Sequence, residues 1–170
     1  MRRPVLVLVA CLLGATLCGL ALVALGGGDD GDEAEVTTET LPEGDPVAAN
    51  EIEVGDCFND LADEGAVDYS DFPVVACREP HDNEVFHLFD VPEAADAAYP
   101  GDTRVADVAR DGCLGAFEPY VGRPYRRSVL EILAVPPSVG SWSTGDREVL
   151  CALYDGSRQP LTGRARGSDR

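Results

Sequence analysis

Hydrophobic residues first occur as one uncharged run over residues 5–25. As a helix this run would be about 31 Å long, which matches a bilayer core of roughly 30 Å. Arg2 and Arg3 precede the run and acidic residues follow it, so we expect the N-terminus inside and the remainder of the chain outside. We interpret residues 1–25 as a transmembrane anchor. A cleaved signal peptide is the alternative, because residues 24–26 (Ala-Leu-Gly) suit a peptidase.

The segment after this run has the opposite composition. Residues 26–53 contain few large hydrophobic side chains and many glycine, aspartate, glutamate, threonine and proline residues. Such a segment cannot bury enough apolar surface to offset the entropy that it loses on ordering. We therefore predict a disordered acidic linker, followed by a folded domain that begins at Val54.

Beyond Val54, three segments rich in β-branched, aromatic and other apolar residues are typical of strands. They are residues 84–91, 129–135 and 148–154. In the second of them, Leu130, Ile132 and Ala134 share one face. Residues 72–77 form a shorter apolar run. Alanine-rich residues 92–99 predict one helical turn, and residues 136–145 predict a loop.

One segment has the periodicity of a helix, since its apolar residues recur at spacings of three and four. These residues are Val105, Val108, Ala109, Cys113, Ala116, Phe117 and Tyr120. We expect Asp102 or Thr103 to cap this helix, and Gly122 and Pro124 to end it. One helix among several strands predicts an α+β domain over residues 54–163, a mainly antiparallel sheet with one packed helix. The Arg/Gly/Ser-rich residues 164–170 are predicted to be a disordered tail.

Four cysteines lie in the predicted domain, at Cys57, Cys77, Cys113 and Cys151. A domain outside the cytoplasm meets an oxidising environment, so we expect two disulfides. Three pairings are possible. We favour Cys57–Cys77 with Cys113–Cys151, because a helix packed on a sheet brings the last two within reach of each other. A zinc site made by all four is the rival; the isolated cysteines argue against it, and no metal or cofactor is expected.

The formal net charge is −18, which argues against a nucleic-acid partner because phosphates would be repelled. The charge suits a solvated protein of the cell envelope or one with a basic partner. Composition thus narrows the class of partner without identifying it.

His81 and Glu84 have the residue types of metal ligands or of acid–base groups. Their spacing does not match a zinc protease helix, which needs two histidines four residues apart. On a strand, His81 and His87 would lie roughly 20 Å apart. Residues 80–83 (Pro-His-Asp-Asn) are therefore interpreted as a turn into the first long strand, with His81 structural.

A second polar segment contains Trp142, Asp146 and Arg147. Ser143 lacks the flanking glycine of a nucleophile elbow, and no histidine lies beyond His87. No catalytic residue is therefore assigned. The favoured interpretation packs Trp142 over the core; the alternative is an interaction surface. Residues that would form such a surface are His81, Glu84, Trp142, Asp146 and Arg147.

An ordered set of short motifs carries a resemblance to a known family. The motifs are residues 54–58 (VGDCF), 75–77 (VAC), Pro80-His81, Glu84-Val85, 99–101 (YPG), Cys113, Ser141-Trp142, 145–147 (GDR), Cys151 and 161–163 (LTG). Together they resemble the actinobacterial septum-formation domain family. This resemblance implies a membrane-anchored or exported domain linked to the division septum. It implies a process and a location, and no enzymatic activity.

We therefore expect a non-enzymatic domain of the cell envelope, held by one N-terminal span in the cell membrane. The expected partner is a division protein, another envelope protein or a cell-wall polymer. Secretion after signal cleavage is the alternative location. An envelope sensor with Trp142 in its ligand pocket is the alternative function. A third function is a small hydrolase or metal-dependent enzyme that uses His81 and Glu84, with Asp146 as an optional third group that the fold would bring near.

Overall fold

The computed structural model describes residues 41–60 and 70–170 of the 170-residue chain. Within these residues the strands are Asp45–Ala48 (β1), Cys57–Phe58 (β2), Asp71–Val75 (β3), Asn83–Asp90 (β4), Leu130–Val135 (β5) and Glu148–Asp155 (β6). The helices are Asp102–Val121 (α1), a 3-10 turn at Tyr125–Arg127, and Val139–Ser143 (α2). The predicted anchor, residues 1–25, lies outside the described residues.

All six strands form one sheet in the order β1-β3-β2-β4-β6-β5, and every neighbouring pair is antiparallel. The long strands β4 and β6 lie side by side near the centre of the sheet. Their register shifts between Val85 and His87, so β4 contains a bulge. The prediction of an α+β domain with a mainly antiparallel sheet is confirmed.

One face of the sheet packs against α1. Val105, Ala109, Cys113 and Phe117 are buried along a single stripe of the helix. They meet the side chains of alternate residues on the strands. From β5 and β6 these strand residues are Leu130, Ile132, Ala134, Val149, Cys151 and Leu153. The predicted apolar stripe of the helix and the predicted face of β5 are therefore confirmed.

The other face of the sheet has its own hydrophobic cluster. Its buried residues are Ile52, Phe58, Phe72, Val85, Leu150 and Ala152. The side chains of Val47, Val74, Leu88, Leu133 and Val135 pack against this cluster and are only partly buried. Among the described residues, α1 packs on the first face of the sheet and not on this one.

Both disulfides have the favoured pairing. Cys57 joins Cys77, and Cys113 on α1 joins Cys151 on β6. The second bond ties the helix directly to the centre of the sheet. Its two cysteines are fully buried among apolar side chains, so this disulfide forms part of the hydrophobic core.

The helix ends as expected but begins differently. Gly122 follows the last residue with a left-handed backbone (φ 89°), and its N–H donates to Glu118 O. At the other end Gly101 is the N-cap, without a side-chain cap. The prediction that Asp102 or Thr103 caps the helix is wrong, because both residues lie within the helix; the Asp102 carboxylate accepts from the Tyr99 hydroxyl at 2.8 Å.

Two local predictions between the main elements are also wrong. Residues 92–99 contain turns without a helical segment. Residues 136–145 contain the short helix α2 instead of only a loop. The Ser138 hydroxyl accepts from Ser141 N–H at 3.0 Å, and the Ser141 hydroxyl accepts from Ser138 N–H at 3.0 Å. This reciprocal capping stabilises the first turn of α2.

The domain extends beyond both of its predicted boundaries. Residues 45–48 of the predicted linker pair with β3, and Ile52 is buried. At the other end, Leu161 and Ala165 are buried, and Asp169 N–H donates to Val121 O at 3.1 Å. The prediction of a disordered tail over residues 164–170 is therefore wrong. The tail is held by backbone hydrogen bonds to segments that are distant in the chain. The local composition of residues 164–170 does not indicate these bonds.

Among the described residues, none of the helices has the length and hydrophobicity that a membrane crossing requires.

Candidate functional site

A buried polar centre lies where β2, the start of β4, α1 and the C-terminal segment meet. Glu84 is fully buried at this point. Its Oε1 accepts from the Tyr120 hydroxyl of α1 at 2.6 Å, and its Oε2 accepts from Ala165 N–H at 2.6 Å. Each carboxylate oxygen therefore has a donor. This arrangement compensates part of the cost of burying a carboxylate.

His81 lies beside this carboxylate and is also fully buried. Its backbone pairs with Leu161, with N···O distances of 3.0 and 2.7 Å. The ring Nδ1 lies 2.8 Å from Glu79 O. Because a carbonyl oxygen only accepts, Nδ1 carries the proton and donates it. The ring Nε2 is buried and has no hydrogen-bond partner.

The Cys57–Cys77 disulfide completes the polar centre. Cys57 pairs with Glu84 in the register of β2 and β4. One donor atom from each of Cys57, His81 and Glu84 lies within 4.8 Å of the other two. Sulfur, imidazole nitrogen and carboxylate oxygen are the ligand atoms that Zn²⁺ accepts in proteins. In the disulfide, however, the Cys57 sulfur is bonded to Cys77 and is not a thiolate ligand.

The environment of this centre changes the acidity of Tyr120. Burial and then the hydrogen bond to the Glu84 carboxylate raise the pKa of Tyr120 to about 12. The guanidinium of Arg166 lies 4.7 Å from the centre of the Tyr120 ring and opposes part of this shift. The hydroxyl therefore stays protonated and donates to Glu84 through the physiological pH range.

Trp142 and Arg147 lie together and hold a loop in place. Trp142 is buried, and its indole N–H donates to Ala97 O at 2.9 Å. The Arg147 guanidinium carbon lies 3.7 Å from the centre of the Trp142 ring, a cation–π contact. The same guanidinium donates to Ala95 O at 2.7 Å. The favoured interpretation of Trp142 as a core residue agrees with this geometry.

The five residues predicted as an interaction surface do not form one. His81, Glu84 and Trp142 are buried. His81 and Glu84 lie at one end of the long strands β4 and β6, and the segment with Trp142, Asp146 and Arg147 lies at the other end. The register shows this, since Glu84 pairs with Leu153 and Glu148 pairs with Asp90. At about 3.3 Å per residue, Asp146 is roughly 20 Å from Glu84. The alternative interpretation of these five residues as an interaction surface therefore finds no support, and Asp146 does not lie beside His81 and Glu84 as the hydrolase alternative would require.

An open groove with a volume of about 610 Å³ lies on the face of the sheet opposite α1. The starts of β3 and β6 line it. The segment after β1, the end of β5 and α2 contribute to the lining, so segments next to both edge strands of the sheet meet at this groove. The lining residues are Ala49, Asn50, Ser70, Phe72, Val135, Pro136, Pro137, Ser138, Ser141, Asp146, Glu148 and Leu150. An apolar floor with a few polar groups is typical of a binding cleft.

Two carboxylates give this groove a negative side. The Asp146 Oδ1 accepts from Glu148 N–H at 2.9 Å, which places both residues at the start of β6. Burial, and then the charges of Asp146 and Asp90, raise the pKa of Glu148. A ligand with a positive charge would relieve this repulsion, so the groove favours cationic groups.

Sequence reasoning did not find the groove, and it did not find Tyr120 and Ala165 as partners of Glu84. Tyr120 was identified only as one member of the apolar stripe on α1. The hydroxyl of Tyr120 is the signal in the sequence, because a tyrosine on the buried face of a helix needs a hydrogen-bond partner for its hydroxyl. Nothing in the local sequence indicates Ala165, which acts through its backbone N–H.

The fold and the groove together define a disulfide-bonded α+β domain with an open groove that apolar and acidic side chains line. The family model for septum formation matches residues 54–170, well over half of the chain. The chain therefore belongs to the septum formation family, and the resemblance is confirmed at that level. Its restriction to actinobacteria stays a prediction. Among curated proteins and among solved structures, none matches this chain.

Proposed function

We propose that this chain is a non-enzymatic domain of the bacterial cell envelope, anchored by its N-terminal segment and acting in septum formation by binding a partner. The observation that carries this proposal is the family match over residues 54–170, which links the chain to septum formation. The uncharged run over residues 5–25 supports the anchor, and the two disulfides support a location outside the cytoplasm.

The groove supports binding as the mode of action. Its apolar floor includes Phe72, Val135 and Leu150, and its acidic side includes Asp146 and Glu148. A partner segment with apolar and basic side chains would match both features. A division protein with such a segment, or a cell-wall polymer with free amino groups, fits this description.

The first experiment localises the chain in its native host. A fluorescent protein that matures in oxidising compartments is joined after Arg170 through a flexible linker, because residues 161–169 pack against the domain. We expect enrichment at midcell during constriction, and retention of the full chain in washed membranes. A uniform peripheral signal would overturn the link to septum formation, and a signal released with the soluble fraction would overturn the anchor.

A charge-reversal pair tests whether the groove binds the partner. Glu148→Arg changes the acidic side of the groove, and Glu118→Arg makes the same change on an exposed position of α1, across the sheet. We expect Glu148→Arg to reduce midcell enrichment several-fold and Glu118→Arg to leave it near the parent value. Equal behaviour of two normally expressed variants would exclude the groove as the binding surface.

The second candidate function is an envelope sensor that binds a small ligand. The groove volume of about 610 Å³ favours it, because this is within the range of small-molecule sites. Trp142 is not among the groove-lining residues, so that part of the prediction does not apply to this groove. A melting temperature that rises with added cationic cell-wall fragments, and does not rise for Glu148→Arg, would favour the sensor. An unchanged melting temperature would favour a macromolecular partner.

A further inference from the structure

The buried polar centre contains one feature that packing alone does not account for. His81 Nε2 is fully buried without a hydrogen-bond partner, an arrangement that destabilises a fold unless a ligand compensates it. The Nδ1–H group donates a hydrogen bond to Glu79 O, and in this tautomer the electron pair that can bind a metal ion is on Nε2. A histidine fixed in this tautomer by a backbone carbonyl has the typical arrangement of a metal ligand.

Glu84 is fixed in an equally suitable way. The Tyr120 hydroxyl and the Ala165 N–H each occupy one position on its carboxylate. Each oxygen retains a further unshared pair, because an ionised carboxylate has about four acceptor positions. Hydrogen bonds of this kind orient a carboxylate ligand and are the usual support of a metal-binding side chain.

The two remaining donors are the sulfurs of Cys57 and Cys77. The donor atoms of Cys57, His81 and Glu84 already lie within 4.8 Å of one another, and Cys77 is bonded to Cys57. We propose that reduction of the Cys57–Cys77 disulfide converts this centre into a Zn²⁺ site whose ligands are Cys57 Sγ, Cys77 Sγ, His81 Nε2 and a Glu84 carboxylate oxygen. This site differs from a zinc site made by all four cysteines of the domain, because Cys113 and Cys151 remain in their own disulfide.

The conversion requires a dithiol reductant. Cys77 is a partly exposed residue, and a thiolate of the reductant attacks its Sγ, so that Cys57 leaves as a thiolate. In this mixed disulfide the first sulfur of the reductant is bonded to Cys77. The second thiolate of the reductant then attacks that first sulfur, and Cys77 leaves as a thiolate. The cysteine pair gains two electrons, and the dithiol is oxidised to a disulfide. Both cysteine sulfurs bind Zn²⁺ as thiolates, so the two protons that the thiol groups of the reductant carried are released to water.

The two disulfides respond differently to such a reductant. Cys113 and Cys151 are both fully buried in the apolar core and offer no exposed sulfur to a thiolate. Cys77 is partly exposed, next to the turn that contains Arg78 and Glu79. We therefore expect mild reduction to open Cys57–Cys77 first.

The test uses the full chain with Cys11→Ser and Cys18→Ser, so that only the four domain cysteines hold or release thiols. The chain is treated with a dithiol until two thiols per molecule react with an alkylating probe. The dithiol is then removed without oxygen, and Co²⁺ is added as the spectroscopic probe. We expect one Co²⁺ per chain, a sulfur-to-cobalt charge-transfer band, the visible bands of a tetrahedral ion, and displacement of Co²⁺ by Zn²⁺. Bound Zn²⁺ should also protect Cys57 and Cys77 from alkylation.

Variants separate this site from adventitious binding to two thiols. Relative to the parent, Tyr120→Phe should raise the Zn²⁺ Kd by about 10–100-fold, because it removes a hydrogen bond that orients a ligand. His81→Gln should raise the Kd further, since it removes a ligand. Glu118→Gln, an exposed position on α1, is the matched control and should leave the Kd unchanged.

Three results would each overturn the proposal. The first is a Kd for His81→Gln equal to that of the parent, with normal circular dichroism in both. The second is an X-ray absorption spectrum of the bound Zn²⁺ with four sulfur ligands instead of two. The third is a spectrum without charge-transfer bands in a reduced chain whose circular dichroism matches that of the oxidised chain.

Discussion

The two disulfides stand in contrasting surroundings, although both lie within one domain. Cys113–Cys151 joins α1 to β6 among apolar side chains. Cys57–Cys77 lies beside the buried imidazole of His81 and the buried carboxylate of Glu84. The first crosslink forms part of the hydrophobic core, whereas the second lies in a polar centre with an unpartnered ring nitrogen. The two disulfides are identical covalent bonds, and the chemistry of the side chains around them differs.

Removal of each disulfide should give the largest effects on stability. The Cys113 and Cys151 positions are 38 residues apart, and the Cys57 and Cys77 positions are 20 apart. In the chain-entropy model these loops correspond to about 4 and about 3 kcal/mol. Cys113→Ala with Cys151→Ala should therefore lower the free energy of unfolding more than Cys57→Ala with Cys77→Ala. Urea titrations of the two double variants measure this difference, and the opposite order would contradict it.

Tyr120→Phe tests the polar centre with a smaller change. The substitution leaves the buried Glu84 Oε1 without its donor, so we expect a loss of about 1–3 kcal/mol at neutral pH. Tyr125→Phe is the matched control, because the Tyr125 hydroxyl donates to Glu131 at an exposed position. That variant should lose less than about 1 kcal/mol. Similar losses of stability in the two variants would show that the burial of the Tyr120 hydroxyl has no effect on the strength of its contribution.

The same tyrosine predicts a dependence of stability on pH. Its pKa is raised to about 12 in the folded state, and an unfolded tyrosine has a pKa of about 10. A raised pKa gives stability that is fully present below about pH 10 and is lost as the pH rises through about 12. Stability of Tyr120→Phe should therefore fall less steeply over this range. Tyr125, whose pKa is also raised to about 12 by Glu131, adds a second component that Tyr125→Phe removes.

Two glycines of α1 test how tightly the core around Cys113 is packed. A Cβ at Gly112 would lie 2.3 Å from the Phe89 ring, whereas a Cβ at Gly115 would meet no atom within 4 Å. Gly112→Ala gains helix propensity but displaces Phe89, so we expect a net loss of about 1 kcal/mol. Gly115→Ala should stabilise by up to about 1 kcal/mol. Thermal unfolding of both variants checks the prediction, and a gain in both would mean that Phe89 moves freely.

Glu148→Gln should have the smallest effect, and it lies away from both disulfides. Burial and the charges of Asp146 and Asp90 raise the pKa of Glu148 in the folded state. The ionised carboxylate therefore lowers the free energy of unfolding progressively as the pH rises above the pKa that Glu148 has in the unfolded chain. The amide should stabilise the domain at pH 7 by less than about 1 kcal/mol, because solvent screens these charges. This gain should vanish at acid pH; a gain that persists there would exclude charge repulsion as its cause.

The sequence allowed much of the local structure to be predicted, and less of the site. The strand over β4, the apolar stripe of α1 and the end of the helix at Gly122 all depend on residues close in the chain. The predicted cap at Asp102 or Thr103 is wrong, because the helix already begins at Asp102 and its N-cap is Gly101. The groove was not predicted, since its lining residues come from β3, β5, β6, α2 and the segment after β1, which are distant from one another in the chain.

The sequence by itself determined the periodicity of the elements, the acidic character of the chain and the presence of four cysteines within one domain. Only the tertiary structure decided what Glu84 contacts. Its partners Tyr120 and Ala165 lie 36 and 81 residues further along the chain. Local patterns depend on the geometry of neighbouring residues, which the backbone period specifies. Contacts between distant residues depend on strand order, register and the path of the C-terminal segment, and these are settled only when the whole core packs.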